Sequence, residues 1–397
     1  MLNALARNPK EPIFNLMEMQ PAALYDYRYH DNNLIYNLMD PVLQIGENDI
    51  LDNPGFEGEY VGGIAPGDWY FVGTGTPSEE TTLPWKSSGV SAQRVDNDTR
   101  YNNTVFGQTV MPNLVHRQTY QFKYKIHVLS GFAQIRIAMW TPWQLSLVID
   151  FNAADGPVEG TIYFSSYAGA TGALQLRNTG TTTPLSCIID DWEIKPIEND
   201  THIFIYPLGY DRGAFDSDGY EYPGTGVGGG YNFNRQGQLD AGNDVTMFSL
   251  YHPGTRSYTM QGFWATITGF DERSIWQREY SSKPEGLVSI DGVGYARYQG
   301  AGVDPHGLQK VAWINEYQSS GAEEIRINQT DYATSYTLGS HRAGLFQGAP
   351  YAHACFPGPN ITPTGVTAAK FETLGFFDRI LDTKERAYLE NLLYNMR

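Results

Sequence analysis

The sequence predicts an all-β protein built from two antiparallel β-sandwiches. Aromatic residues make up 14% of the 397-residue chain, with 27 tyrosines among them, and such side chains favour the pleated, half-buried surface of a strand. The 42 glycines and 22 prolines are spread along the whole length, as turns between many short strands require. The stretch from Arg117 to Val128 places Tyr120, Phe122, Tyr124, Ile126 and Val128 on one face and polar residues opposite, the period of two that marks a strand with one buried face. Helix-forming stretches are scarce away from the two ends. The chain is too long for one core, so two domains and an extension are expected.

Residues 1–47 come first and are the extension. They mix Pro9, Pro12, Pro21 and Pro41 with Phe14, Leu16, Tyr25, Tyr27, Leu34 and Leu38 and show no stable period. Such a segment makes no core alone, yet it is too apolar for a solvated linker. It reads as an N-terminal docking arm ordered by a partner; the alternative is an arm folded back on its own chain.

Residues 48–198 read as the first sandwich. It opens with Ile50-Leu-Asp-Asn-Pro-Gly-Phe-Glu57 and Gly67-Asp-Trp69 and closes with Cys187-Ile-Ile-Asp190-Asp-Trp-Glu-Ile194. These motifs, one domain length apart and in this order, resemble the galactose-binding-like jelly rolls, in particular carbohydrate-binding modules of families 4, 9 and 22. The resemblance implies that first and last strands lie close together. It also implies a structural Ca2+ held by Glu57 and Asp190 with backbone carbonyls, the hard oxygen ligands that ion takes. Pro54, standing between Asn53 and Gly55, departs from the family's turn. With no metal, Glu57 is a solvated carboxylate and Asp190 hydrogen-bonds a loop. Sugar binding requires aromatic planes beside hydrogen-bonding groups, which points to Trp85, Tyr101, Trp140, Trp143 and Gln144. A core or inter-subunit place for each aromatic is the competing expectation, and Trp69 is assigned to the core.

Residues 199–397 read as the second sandwich, with strands over Asp244–Leu250, Ser257–Trp264, Gly286–Ile290, Val311–Ile314 and Ile325–Asn328. Its end is the most informative part of the chain. An apolar strand, Leu374-Gly-Phe-Phe377, runs into Asp378-Arg-Ile-Leu381, and Asp382 with Glu385 three positions on forms a capping box. Tyr388, Leu389, Leu392, Leu393 and Met396 then recur at helical spacing, predicting a short closing helix. That order, with Trp313 and Ile325–Asp331, resembles the concanavalin A-like (LamG-type) domains, which include lectins, hydrolases and structural modules.

The hydrolases of that group pair carboxylates along one strand, and no such run is present. Asp211, Asp216 and Asp218 form a weaker calcium candidate, weighed against ordinary turn chemistry. No metal-ligand histidine spacing, nucleophile elbow or phosphate loop occurs, so no catalytic residue is assigned and no enzyme is expected.

A net charge of −17 without any Lys/Arg cluster argues against nucleic-acid partners. Cys187 and Cys355, the two cysteines, fall in different domains and make no disulfide framework. No stretch reaches membrane-spanning length, and Met1–Arg7 lacks a signal-peptide core, so folding in a cytoplasm-like compartment without membrane insertion is expected. With the two resemblances, this domain combination is similar to that of tailed-phage virion proteins assembled in the host cytoplasm. The implied protein is a fibre, appendage or head or tail decoration that docks to other virion proteins through residues 1–47 and adsorbs to host-surface glycans. A homo-oligomer, a trimer at first guess, would let many weak sites act together. A cementing protein that binds coat subunits and an accessory glycan-binding module of a bacterial adhesion or glycan-processing protein are the competing classes.

Overall fold

A computed structural model of the chain describes residues 12–82, 89–98, 103–111, 114, 118–140, 143–165, 172–180, 182–198, 202–204, 214–216, 219–222, 244–253, 260–264, 274–280, 283–289, 296–302, 304–318, 323–338, 352–353 and 369–396. They form two compact units: Leu43–Glu198, and the described residues of Met1–Val42, Asn199–Ile205 and Gly209–Arg397. In sequence the first unit is thus inserted within the second. Both are all-β, with antiparallel sheets and a short helix closing the chain.

The inserted unit is a sandwich of two five-stranded sheets. One has the order Pro157–Ser165, Thr119–Ser130, Leu185–Pro196, Ala92–Asn97, Gly75–Glu80; the other runs Trp69–Phe71, Asn103–Met111, Gly172–Asn178, Phe132–Trp140, Trp143–Asn152. The alternation in Tyr120, Phe122, Tyr124, Ile126 and Val128 buries all five in the core between the sheets. Trp69 joins them, stacked on Phe106 with ring centroids 5.3 Å apart and its indole N–H given to the Asn53 carbonyl at 3.3 Å. The chain enters and leaves side by side: Ile45 bridges Ile197, Gly46 N–H donates to Pro196 O and Glu198 N–H to Gln44 O, each at 2.8 Å.

Opening and closing strands meet through Asp49, whose Oδ1 accepts from Leu51 N at 2.8 Å and Ile194 N at 3.1 Å. Burial pushes its carboxyl up to about 6; the two backbone bonds oppose this, Glu193 adds to it and Lys195 opposes it. The folded value lies above the ordinary 3.8, so this group's stabilisation is complete below about pH 4 and is lost as pH rises through about 6. Asp49→Asn keeps the acceptor oxygen and removes the charge. It is expected to stabilise the unit by about 1–2 kcal/mol at pH 7.5 and by almost nothing at pH 4. Denaturant unfolding at the two pH values checks this; an identical change at both would show that the buried charge is not the cause.

The second unit has a sheet ordered Ile203–Phe204, Leu34–Asn37, Ala23–Asp31, Ala369–Phe377, Val245–His252, Val311–Tyr317, Glu323–Ile327, Thr330–Tyr332, and a six-stranded sheet ordered Thr334–Leu338, Ala296–Gly300, Lys283–Ser289, Ser274–Tyr280, Met260–Trp264, Ala352–His353. The hairpin Ala214–Asp216/Gly219–Tyr222 adds to the first of these through Ala369–Phe377. The segment expected as a docking arm supplies two strands to this sheet. Ala23–Asp31 pairs with Ala369–Phe377 on one side and Leu34–Asn37 on the other, so its hydrogen-bonding edges are taken by its own chain. Helix α1 (Pro12–Glu18) buries Ile13 and Leu16 and packs on the closing helix α2 (Thr383–Asn395). The apolar residues that demanded a partner find it in their own sandwich.

Gly375 is necessary in the closing strand. It pairs with Leu24 and Phe248, and a Cβ there would lie 2.4 Å from Phe248 Cζ and 2.8 Å from Ala23 O. The capping box forms as the sequence predicts: Asp382 Oδ1 accepts from Lys384 N at 2.7 Å and Glu385 N at 2.9 Å, while Glu385 Oε2 accepts from Asp382 N at 3.0 Å. Leu389, Leu392, Leu393 and Met396 are buried; Tyr388, placed with them by its spacing, is 45% exposed.

Candidate functional site

The strongest candidate lies on the outer face of one sheet of the inserted unit. Trp69, Phe106, Leu174, Leu176, Ile135, Ile137 and Ile149 belong to the core, so the residues between them point the other way. Cross-strand register lines up Tyr70, Gly107, Gln175, Arg136 and Val148 as one row across all five strands. A second row holds Thr104, Arg177, Gln134 and Asp150. Ala138 and Ala173, paired and each 1% exposed, continue the face toward the hairpin end where Trp140 pairs with Trp143.

Gly107 is what lets this row work. Tyr70 and Gln175 sit on strands two spacings apart, about 10 Å, and both oppose Gly107. With no side chain between them, the Gln175 amide reaches the Tyr70 hydroxyl and donates a hydrogen bond to it. Burial pushes that hydroxyl above its ordinary range, and the bond from Gln175 partly offsets the rise.

The row is left with unmet hydrogen-bonding capacity. Gln175 is 7% exposed, yet its Oε1 has no partner among the described residues, and neither has the buried Nε of Arg136. Burial lowers the Arg136 pKa from its ordinary value, and the adjacent Arg177 guanidinium lowers it further; burial also lowers that of Arg177. Asp150, the carboxylate of the second row, accepts from Gln134 Nε2 at 2.8 Å. Arg136 therefore has a cation as its charged neighbour and no ion pair among the described residues.

Two other concavities contain more charge but no unmet need. A groove of about 310 Å³ beside the closing strand of the inserted unit is lined by Lys123, Lys125, Glu159, Asp191 and Glu193. Its lysines pair with its carboxylates at 3.1 to 3.7 Å, and such exposed pairs are a solvated face. In the second unit, a groove of about 600 Å³ lies against the closing helix, lined by Glu324, Arg326, Asp331 and Arg386. There Arg386 bonds Glu316 and Glu324, and Arg326 bonds Glu390 and Asp331, fastening helix to sheet.

Glu57 and Asp190 are in the strand-junction region, but each has a local task. Glu57 Oε1 and Oε2 accept from Val90 N at 2.9 and 3.1 Å, so Glu57 caps the turn after Gly89, where a Cβ would collide with Oε1. Asp190, 1% exposed, accepts from Asp191 N at 2.9 Å. The Phe56 carbonyl between them takes hydrogen bonds from Tyr60 OH at 2.9 Å and Ser91 Oγ at 3.2 Å. Ca2+ needs six to eight oxygens free to turn toward it. No cluster of three acidic, His or Cys ligands occurs among the described residues.

Of the residues assigned to sugar, Trp85 and Tyr101 lie outside the described residues. Trp140, Trp143 and Gln144 are described by their backbone, which closes the hairpin of the sheet bearing the polar row. Asp211 and Asp218 fall outside the described residues, and Asp216 ends the strand Ala214–Asp216. Sequence reading missed Tyr70, Arg136, Gln175 and Arg177, because Ile135-Arg-Ile and Leu174-Gln-Leu-Arg look like any strand with one solvated face. Their signal is register across strands, which one strand's sequence does not carry.

No protein-family profile matches the chain, and no curated protein matches it. Among solved structures it is similar to domains LG4-5 of the mouse laminin alpha1 chain, at 9% identity and TM-score 0.29, over 72% of this chain and 90% of that one. It is also similar to the N-terminal CBM22-1-CBM22-2 tandem of Xyn10C from Paenibacillus barcinonensis, at 10% identity and TM-score 0.30, over 83% and 97%. A third similarity is to the Trypanosoma rangeli sialidase, at 9% identity and TM-score 0.33, over 79% of this chain and 61% of the sialidase. Similarity this low carries no argument about the site, which stands on its own geometry.

Proposed function

We propose that the chain is a glycan-binding protein that holds its ligand on the outer face of the inserted sandwich without turning it over. The observation that carries this reading is the Tyr70–Gln175–Arg136 row, where planar polar groups point out of the sheet with hydrogen-bonding capacity left unfilled. A buried polar atom without a partner costs about 1–3 kcal/mol. A ligand rich in hydroxyls recovers that cost, while the half-buried Tyr70 ring offers the apolar surface that sugar C–H faces require. A similarity to the tandem CBM22 structure adds context only. The setting we favour is display in many copies on a surface such as a virion, where weak single sites suffice. Docking to such a particle would use surfaces other than the Ala23–Asn37 hairpin, whose strands are already paired.

Glycan-array binding by the intact chain tests the reading, with Gln175→Leu as the matched variant. Leu fills the same volume on the outer face and removes the amide. Array signals are expected to fall on the order of tenfold, the worth of one or two well-made hydrogen bonds, with the melting temperature unchanged. An array on which wild type and variant bind the same sugars equally well would sink it.

A further inference from the structure

In the second unit, His252 ends the strand Val245–His252 and faces two acceptors at once. Its Nδ1 lies 2.8 Å from the Gln309 carbonyl oxygen, and its Nε2 meets Oε1 of Glu372 on the closing strand Ala369–Phe377. A backbone carbonyl has no hydrogen to give, and neither has an ionised carboxylate. A neutral imidazole carries one N–H and one lone pair, so it satisfies one of these neighbours and turns a lone pair on the other. The imidazolium donates to both. The His252 side chain is 38% exposed, so solvent protons reach it, whereas that of Glu372, at 7%, has little water to take the place of the ring.

The other charges nearby leave this demand in place. Among the described residues, Lys370 is the cross-strand partner of His252, and Lys310 follows Gln309. Lys310 opposes a charge on the ring, but its ammonium bonds the Met396 carbonyl just past α2. On the adjoining strand Ala23–Asp31, the Asp26 carboxylate is met by Arg28. The bond to Glu372 is the main force on the ring; it outweighs burial and raises the His252 pKa above its ordinary 6.5.

We propose that His252 is a proton-operated clasp: charged, it ties residues 304–310 to the closing strand, and neutral, it keeps Glu372 and releases Gln309. The carboxylate takes the remaining N–H because a hydrogen bond to an ionised acceptor is roughly twice as strong as one to a neutral acceptor. The ring's lone pair then faces the Gln309 oxygen, and two acceptors at that distance repel. The bonds that Gly307 N–H gives to Asp304 O at 3.1 Å and Leu308 N–H gives to Pro305 O at 3.0 Å are local to the segment, whereas the clasp reaches across to the sheet. The sign with pH follows from the raised folded value: the clasp's contribution is complete below about pH 6.5 and is lost as pH rises through that value.

The test is nitrogen NMR of the intact chain labelled at its histidines and titrated from about pH 5 to 9, with the His252 signals assigned by their loss in His252→Gln. Both ring nitrogens of His252 are expected to be protonated in most molecules at pH 6.5 and to titrate above it. Amide exchange followed in parallel should show Gly307 and Leu308 losing protection on the order of tenfold across the same titration, beyond the ordinary rise of exchange with pH. That is the worth of one hydrogen bond to a charged group. Glu372→Gln keeps an oxygen beside the ring and removes its charge, so the titration and the loss of protection should both move to lower pH. His252→Gln offers an N–H at every pH and should abolish the step. A ring that is mostly neutral at pH 6.5 would overturn the proposal, as would a step that persists in His252→Gln or a titration that Glu372→Gln leaves in place. A charged ring whose titration changes no protection at Gly307 or Leu308 would also overturn it, since the pair would then hold no segment.

Discussion

Arg386→Met is expected to cost the second unit about 2 kcal/mol at pH 8, the toll of leaving a buried carboxylate without its cation until it takes up a proton. Arg386 reaches from the closing helix to Glu316, whose side chain is 1% exposed, with Nη1 donating to Oε2 at 3.0 Å; it also bonds Glu324. Burial is the main force on Glu316 and pushes its carboxyl up to about 7; Arg386 opposes this and Glu324 adds to it. The other oxygen, Oε1, has no hydrogen-bond partner in the described structure. Met keeps the packing volume of the arginine stem and removes what opposes both burial and Glu324. The variant's Glu316 must then hold a proton or stand charged in the core.

That alternative gives the prediction its sign with pH. In the wild type the folded pKa already exceeds the ordinary 4.5, so the contribution of Glu316 is complete below about pH 4.5 and is lost as pH rises through about 7. Without Arg386 the folded value rises further, and the penalty grows with each pH unit up to the new value. Denaturant unfolding should therefore show a loss of about 1 kcal/mol or less at pH 4.5 and one larger by about 1 kcal/mol at pH 8. The double variant with Glu316→Leu should recover most of the loss at pH 8, since a buried pair replaced on both sides is often neutral. A loss that is the same at both pH values, or that the double variant does not relieve, would show that Arg386 acts by packing alone.

What the sequence made legible were features whose cause is local. The capping box of Asp382 and Glu385 is set by residues three apart, and the face of Tyr120, Phe122, Tyr124, Ile126 and Val128 by one strand's alternation. Ala23–Asp31 was illegible as a strand because Ala23, Leu24, Tyr25, Asp26 and Tyr27 are all buried, leaving no alternation to read. Its partner, Ala369–Phe377, lies at the opposite end of the chain. The same limit hides the insertion of one unit in the other, and it hides the site. Tyr70, Gln175 and Arg136 come from three strands that are not neighbours in sequence, and only Gly107, an unremarked residue, joins them. Glu57 shows the converse: its motif was legible, but the Val90 N–H that occupies it was not.

Trp192→Ala is expected to cost the inserted unit about 3–5 kcal/mol, and the reason links its closing motif to the face proposed for glycan. Trp192 is fully buried among Phe122, Trp69 and Phe56, with ring centroids 5.9, 6.1 and 6.2 Å away and near edge-to-face tilts of 83, 65 and 70°. It is positioned by its backbone. Asp191 takes a positive φ of 48°, the pairing with Thr119–Ser130 shifts register between Asp190 and Glu193, and Trp192 N–H donates to Pro54 O at 3.0 Å. The indole N–H donates to Lys125 O at 3.2 Å. Alanine removes the ring from the centre of the aromatic cluster and leaves that carbonyl without its donor. Phenylalanine restores most of the apolar area but not the bond, so about 1–2 kcal/mol should remain lost. For a unit of this size each kcal/mol moves the melting temperature by roughly 2–4 °C, so the alanine variant should melt on the order of 10 °C lower. Trp69, one of the rings it touches, adjoins Tyr70 in the strand that starts the polar row, so loosening the cluster should weaken the proposed sugar binding before the unit unfolds. A phenylalanine variant as damaged as the alanine one, or an alanine variant that melts and binds like wild type, would refute this account of the core.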